Sequence, residues 1–403
     1  MNIALLMHEL LVEGGGERQC VSLARALARQ GHEVVVYTSA YDPSHCFPEI
    51  CKDIKIIEVG RGLWPGLRNP AFLRGYLDMR HLARAVREKH EIWNPHHWPA
   101  QWAAVWLKRK RGGAVLWMCN DVPNLYEVSR QRKSQGVIRA AVHRLYYLYD
   151  RAQNRNIDLT MFLSRWAESE FKKTYSAETC VVRSGADPVR FSPGGDRHKI
   201  RDRFGYRPDE FVLLWLGIFM PHRRLQDAIE AVSLLIARAV KVKLVLAGSE
   251  RSFPDYFKSL QDLAAQRGVQ HYVTFAGKVE DDEVRDFYSA CDAFLFPNEN
   301  QTWGLAVLEA MACGAPVLVS QGAAVHEVLT DGQDAILFPP RNPDALAQKI
   351  QYLVSHTQER SRIAQAGLAL VRTKYNWEEF AKQVAELCGK LVNGSITQSC
   401  GRS

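Results

Sequence analysis

Gly304 and Glu309 are the residues of this 403-residue chain whose types and spacing point most directly to a chemistry. Residues 291–340 read as a buried strand at 293–296, a polar loop, a helix opening near Gly304, a second strand at 316–320 and a third at 335–338, a βαβ repeat. A glycine at a helix start lets backbone approach a ligand, and the free N–H groups and dipole there favour a phosphate. Glu309 falls about a turn and a half further on, where a carboxylate accepts from a pair of hydroxyls such as those of a ribose. Phosphate at the tip and ribose along the flank describe a nucleoside diphosphate.

The residues around this helix resemble a family. Glu309 is followed by Ala310-Met311-Ala312 and Gly314-Ala315-Pro316-Val317. This resembles the hallmark of the retaining glycosyltransferases of the family 4 type, which is Glu, seven residues, Glu, then Ala-Met-Ala and Gly-x-Pro-Val. The first Glu position holds Gln301. The segment Ser184-Gly185-Ala186-Asp187 through Phe191-Ser192-Pro193 is similar to the family's crossing between lobes, and its Gly and Pro residues mark a domain boundary unaided, with hinge behaviour expected. Residues 377–391 match the family's last helix. The resemblance implies an α/β chain with two facing Rossmann-like lobes, the GT-B fold: an acceptor-binding lobe over 1–185 and a nucleotide-sugar lobe over 186–375. A helix at 376–392 would cross back to the first lobe, with a flexible tail at 393–403.

The elements that must position these residues are those of an ordinary globular protein. Hydrophobic residues make up 47% and charged residues 24% of the chain, enough for two buried cores. No apolar run reaches the roughly 18 residues that cross a bilayer, and the first residues lack a basic leader and cleavage site, so a cytosolic chain is expected. Nine cysteines scattered without a Cys-x-x-Cys pair argue against a zinc site and a disulfide framework, and reduced, buried thiols are expected.

Positive charge is local. Residues 101–155 hold eleven Lys or Arg, four of them consecutive from Lys108 to Arg111, against three acids, a surplus that equals the net charge of +8 of the whole chain. Trp93, Trp98, Trp102, Trp106 and Trp117 cluster in or just before it. Basic and aromatic residues together suit an anionic membrane surface, and the chain is expected to sit peripherally on the cytoplasmic membrane face. Nucleic acid would accept such a patch too, but no recognition motif accompanies it, so no nucleic-acid partner is expected; a solvated face over an ordinary core is the plain alternative. Ile138, Ala141, Leu145, Tyr149 and Ala152 have the spacing of a helix with one buried face, with Arg139, Arg144 and Arg151 off that line. The helix is expected to pack on its own lobe, insertion at a membrane interface being the alternative.

Near the amino terminus a strand at 2–8 leads into Glu13-Gly14-Gly15-Gly16-Glu17-Arg18 and a helix. A dinucleotide loop is excluded because Gln19 stands where Gly-x-Gly-x-x-Gly needs its last glycine. The loop instead resembles the family's, in which the amides of Gly15 and Gly16 would approach donor phosphates or acceptor; a plain tight turn satisfies the same residues. Residues 40–47, from Ala40 to Phe47, resemble a segment of the eukaryotic mannosyltransferase that extends the dolichol-linked oligosaccharide, which favours a mannosyl donor or a lipid-linked acceptor. Asn120 stands where many members carry a histidine near the transferred sugar; it donates and accepts but does not titrate. His97 matches a cleft position, and a structural role is open for it.

In the second lobe the family places Arg directly after the Gly217 position and Lys six residues after it, both on the donor diphosphate. Here Ile218 replaces the first, and Arg223 takes the second with Arg224 beside it; a guanidinium grips phosphate bidentately. Gly277 and Lys278 resemble the segment that receives the nucleobase. The resemblance implies retention without a protein nucleophile, metal or other cofactor, with the departing diphosphate stabilised by Arg223, Arg224 and the amides of Gly304 and Leu305, and the ribose by Glu309. Gln301 either serves at the first acidic position itself or gives way to Glu299. The expected activity is transfer of a hexose, mannose or similar, from a GDP- or UDP-sugar to a hydroxyl of a lipid-linked or polysaccharide acceptor. The changes at Asn120, Ile218 and Gln301 keep two alternatives open: a non-catalytic nucleotide-sugar binding subunit, and a sugar-nucleotide epimerase on the same fold.

Overall fold

Strands of Val, Ile and Leu buried on both faces and separated by amphipathic helices are the sequence form of a parallel sheet covered on each side. The computed structural model describes residues 1–62, 71–120, 137–251 and 253–395, and the side chains of 71, 72 and 137–143 lie outside that description. The first sheet contains β1 (Asn2–Leu10), β2 (Glu33–Tyr41), β3 (Lys55–Glu58), β4 (Ile92–Pro95), β5 (Ala114–Met118), β6 (Leu159–Phe162) and β7 (Thr179–Val181). They are parallel, in the order β3-β2-β1-β4-β5-β6-β7. The second contains β8 (Phe211–Leu216), β9 (Val242–Ala247), β10 (Val273–Gly277), β11 (Ala293–Phe296), β12 (Val317–Ser320) and β13 (Ile336–Phe338), parallel in the order β10-β9-β8-β11-β12-β13. Strand order reverses between β1 and β4 in one sheet and between β8 and β11 in the other. Those reversals are where doubly wound sheets open a crevice at their carboxyl ends.

The helices are α1 (Gly15–Arg29), α2 (Pro48–Cys51), α3 (Ala71–Ala85), α4 (Ala100–Arg111), α5 (Val137–Asn154), α6 (Arg165–Lys172), α7 (Arg197–Arg203), α8 (Leu225–Ala237), α9 (Pro254–Gln266), α10 (Val284–Ala290), α11 (Leu305–Ala312), α12 (Pro343–Ser355), α13 (Thr357–Lys374) and α14 (Trp377–Val392). The chain divides into two units, Met1–Ser184 with Trp377–Ser403, and Gly185–Asn376. In the first, Ala4, Leu6, Met79, Leu82, Trp93, Trp117 and Phe162 form the core. In the second, Leu213, Trp215, Ile229, Val232, Leu244, Leu295 and Leu318 do so. The α14 helix packs against α1 and buries Phe380, Ala381, Val384 and Cys388. Where the chain enters and leaves the second unit, the Ala186 amide donates to the Tyr375 carbonyl at 2.9 Å. A Cβ on Gly185 would come within 1.9 Å of the Tyr375 backbone, so only glycine fits there.

The basic, tryptophan-rich region is resolved into two populations. Trp93, Trp102 and Trp117 are fully buried core residues. Lys108 binds both oxygens of Asp158 at 2.7 Å and Arg111 Nε donates to the Val86 carbonyl, so these two cations act within the fold, while Arg109 and Lys110 are exposed. Of the expected buried line of α5, Tyr149 packs inward and Leu145 and Ala152 do not. Leu145 and Ala152 are exposed together with Arg144 and Arg151, and the packed face holds Asp150, Gln153 and Asn154 with half-buried Tyr146, Tyr147 and Tyr149. Hydrogen bonds to Asp150 and edge-to-face aromatic contacts decide the orientation against apolar spacing. Ile138, Ala141 and Arg139, named for the same helix, have side chains outside the described residues. The described cysteines are free thiols, and seven of the eight are buried.

Candidate active site

In the second unit the carboxyl ends of three adjacent strands are stitched by glycine. Gly217 N donates to the Ala247 carbonyl and Gly248 N to the Gly277 carbonyl, and a Cβ on Gly248 would meet Gly217 O at 1.6 Å. The tight stitching brings the chain after β8 into the 3-10 turn Pro221–Arg223 beside the loop that follows β11. That loop is fixed on both sides: Glu299 N donates to the His222 carbonyl, Asn300 N to that of Gly322, and Ala324 N to that of Gln301. Its last side chain meets the turn, because Gln301 Oε1 accepts from Arg223 Nη1 and from Asn298 Nδ2. With both donors on its carbonyl end, Gln301 presents its amide NH2 away from Arg223, whereas a glutamate there would present a second acceptor. Gly304 begins α11 where a Cβ would press on Val325 at 2.9 Å and Phe296 at 3.2 Å, so the glycine brings the helix start close to the ends of β11 and the 322–328 segment.

The other expected residues of this unit are placed differently. Arg224 is bound by Asp227 at 3.0 and 2.8 Å, a bidentate pair that holds it on the first turn of α8. Burial raises the Asp227 pKa against the pull of Arg224. Glu299 is gripped by Arg341 at 2.7 and 2.8 Å, which lowers its pKa, so the carboxylate that could have served in place of Gln301 is committed elsewhere. Glu309 is buried on α11 and accepts from the Tyr288 hydroxyl at 3.1 Å. Gly277 closes the edge strand β10 at φ +73°, and Lys278 forms an exposed pair with Glu280 at 3.0 Å.

The first unit offers a different chemistry. His97, just past β4, takes a left-handed φ of 59°, a conformation that must be held by its surroundings. Its ring lies on Gly16, where a Cβ would fall 1.5 Å from Nε2. Gly15 beside it has open space where a side chain would be, and the Glu17 carboxylate curls back to within 2.1 Å of the Cβ position of Gly14. Asn120, at the end of β5, is 6% exposed, and neither its Oδ1 nor its Nδ2 has a partner among the described residues. A buried amide left in that state costs free energy unless a further polar group reaches it. His96 is fully buried with Nε2 at 3.0 Å from Asn94 Oδ1, and burial, with the neighbouring His97, lowers its pKa to about 3.

Several participants escaped the sequence reading. Asn298, which orients Gln301, and Arg341, which removes Glu299, come from loops with no spacing signal. Asp227 was legible as an acid in a first helical turn three residues after Arg224. His8, Glu9 and Asp78 bring three possible metal-ligand atoms within 4.8 Å of one another. In that group Asp78 is already bound by His8 Nε2 at 3.0 Å and by the Gly62 amide at 2.8 Å, and Glu9 by Arg61 at 3.0 Å. Two guanidinium groups near Glu9, Arg61 and the more distant Arg74, make it a poor cation site. The 40–47 segment has a local reason for its composition: Asp42 accepts from the Ser44 amide and hydroxyl and from His45, closing a turn on the surface.

Comparison with known proteins gives the wider setting. Residues 13–190 match the model of Glycosyltransferase Family 4 and residues 196–370 that of the glycosyl transferases group 1. An uncharacterised glycosyltransferase of Methanocaldococcus jannaschii is 28% identical over 397 residues, 96% of this chain and 97% of that protein. A D-inositol 3-phosphate glycosyltransferase of Xylanimonas cellulosilytica is 25% identical over 394 residues, covering 93% and 91%. The crystal structure of Anabaena HepE in complex with UDP and glucose superposes with a TM-score of 0.77 at 20% identity, covering 97% of this chain and all of that one. Sucrose-phosphate synthase from Thermosynechococcus elongatus gives 0.77 at 21% identity, covering 97% and 99%. The chain belongs to the family 4 type of glycosyltransferases and has their two-lobed, Rossmann-like GT-B fold.

Proposed function

We propose that the enzyme transfers a hexosyl group from a nucleoside-diphosphate sugar to a hydroxyl of a lipid-linked or saccharide acceptor, with retention at the anomeric carbon. One observation carries the reading: Arg223 is oriented by Gln301 at the carboxyl edge of the second unit's sheet, in the turn that follows the Gly217 stitch. A guanidinium fixed in advance stabilises charge that develops on a departing diphosphate without reorganising during the reaction. The amides of Gly304 and Leu305 at the start of α11 add donors of the same sign, and Glu309 is suited to ribose hydroxyls. In the step itself the bond from the anomeric carbon to the phosphate oxygen breaks. The acceptor oxygen bonds to the same face of that carbon, and its proton passes to the departing phosphate oxygen. No strong protein base and no resident metal is required.

The Anabaena protein binds UDP, UDP with glucose, and UDP-glucose, which supports a UDP-hexose donor here, with GDP-mannose as the second candidate. Asn120 and His97 of the first unit are assigned to hydroxyls of the sugar or the acceptor, and Arg224, Lys278 and Glu299 to supporting the donor loops. Among the described residues no helix is long and apolar enough to cross a membrane, and a peripheral location on the cytoplasmic membrane face suits a lipid-linked acceptor. The test is incubation of the purified chain with labelled UDP-glucose and GDP-mannose, with and without lipid extract, and determination of the product's anomeric configuration. Label in a new glycoside of unchanged configuration is expected. Binding with neither hydrolysis nor transfer indicates a binding subunit, and donor converted without acceptor indicates an epimerase.

A further inference from the structure

From Arg144 onward, α5 is turned with its polar side inward. Asp150 is fully buried, its Oδ1 accepting from Trp102 Nε1 at 2.7 Å and Gln101 Nε2 at 3.1 Å, and its Oδ2 from the Tyr175 hydroxyl at 2.6 Å and Asn154 Nδ2 at 3.2 Å. Four donors on one carboxylate fix the rotation of the helix about its axis. The opposite face is therefore committed to solvent: Leu145 is 68% exposed and Leu148 is 50% exposed, flanked at helical spacing by exposed Arg144, Arg151 and Arg155. Large apolar side chains set side by side on the outside of a helix, with cations between them, are the pattern of an interfacial helix rather than of a merely solvated one.

The neighbouring helices extend the same face. The α3, α4 and α5 helices together contain two carboxylates, Asp78 and Asp150, and both are fully buried. Among their described residues α3 and α4 expose Arg74, Arg80, His81, Arg84, Arg109 and Lys110. Half-buried Tyr76, Trp106 and Tyr149 join the three helices by edge-to-face contacts at 5.6 and 5.8 Å. Arg80 Nη1 donates to the Tyr76 hydroxyl at 3.1 Å, and Arg80 and Arg109 both act on the Tyr149 phenol, opposing the burial that raises its pKa to about 12. Rings with a polar tip beside cations belong at the level of lipid headgroups. A second copy of this face is a poor occupant, since a two-fold contact would set arginines against arginines. A nucleic-acid backbone would meet the cations but leave the leucines unmatched.

We propose that the outer face of α3, α4 and α5 docks on a bilayer that contains anionic phospholipid, with Leu145 and Leu148 entering the acyl boundary and the surrounding arginines engaging headgroup phosphates. This deepens the membrane-facing part of the function proposed above and rests on that part alone, since docking requires no transfer chemistry. The test is sedimentation of the full chain with phosphatidylcholine vesicles and with vesicles in which about a third of the lipid is phosphatidylglycerol, at low and high salt. Wild type is expected to partition at least about tenfold more strongly to the anionic vesicles, with the preference lost at high salt. Leu145→Ser with Leu148→Ser, and separately Arg144→Gln with Arg151→Gln, should each reduce partitioning about tenfold or more. These side chains are exposed and outside the core, so unchanged thermal midpoints will certify the fold. Equal binding to neutral and anionic vesicles, or variants that bind as wild type, overturns the proposal. So does a leucine-dependent dimer, or arginine-dependent binding of RNA with no vesicle binding. Donor turnover measured without lipid reads the transfer reaction independently, so either proposal can fail alone.

Discussion

At the carboxyl edge of the second unit Arg223, Arg224 and Arg341 each rest on an acceptor of the protein itself: Gln301, Asp227 and Glu299. At the same edge of the first unit stand His96, His97 and Asn120, one of them with a buried amide that nothing among the described residues satisfies. The two sheets reverse strand order in the same manner, yet one edge carries guanidinium groups and the other imidazoles and a neutral amide. A shared topology fixes where a ligand can bind, and the residues just past each strand decide what kind.

The largest disruption of this contrast is expected from Arg223→Ala. Loss of the preorganised guanidinium should cost about 2 to 4 kcal/mol of transition-state stabilisation, read as kcat/KM for the donor. Turnover close to wild type would remove Arg223 from the diphosphate site. On the other edge, Gly16→Ala places a methyl group where His97 Nε2 now lies. With His97 displaced from its place, turnover should fall about a hundredfold while the melting temperature holds, the order expected when a group that positions substrate is moved. Adding His97→Ala to that variant should make it no worse; a further loss would show that His97 acts elsewhere.

His96 sharpens the contrast through pH. Its folded pKa lies near 3, below the ordinary value of about 6.5, so the unfolded chain takes up the proton first. The contribution of neutral His96 is complete above about pH 6.5 and is lost as pH falls toward 3. The stability difference between wild type and His96→Gln should therefore shift by about 2 kcal/mol against wild type between pH 7 and pH 5. Denaturant midpoints at the two pH values measure it, and a difference that does not change with pH counts against the assignment. The smallest effect is expected from Glu299→Gln. With that carboxylate held by Arg341, turnover should change by less than about threefold, as for other exposed ion pairs. A loss comparable to that of Gln301→Ala would return Glu299 to the reacting centre.

Much of the framework was legible in the sequence. The strand ending at Phe296, the helix after Gly304 and the strand before Gly217 are found where hydrophobic runs and glycines put them. Motif spacing also led to Arg223 and Gln301, which the fold brings into contact. The commitments of neighbouring charges were not legible. Glu299 and Arg341 are 42 residues apart, and no local pattern announces a pair closed by tertiary structure. On α5 apolar spacing placed Tyr149 correctly but put Leu145 and Ala152 on the buried face when both are exposed. Asp150 collects donors from Gln101, Trp102 and Tyr175 as well as from its own helix, and a helix wheel carries no information about partners on other elements.

The return of the chain to the first unit after Asn376 has a consequence for synthesis. Emerging from the ribosome, the second unit is a continuous stretch that can complete its core as soon as Asn376 is free. The first unit, although begun earlier, lacks Phe380, Val384 and Cys388 until the last helix arrives. Its α1 surface then waits uncovered through the translation of nearly two hundred residues, the interval in which an unfinished hydrophobic face is most exposed to chaperones and to other nascent chains.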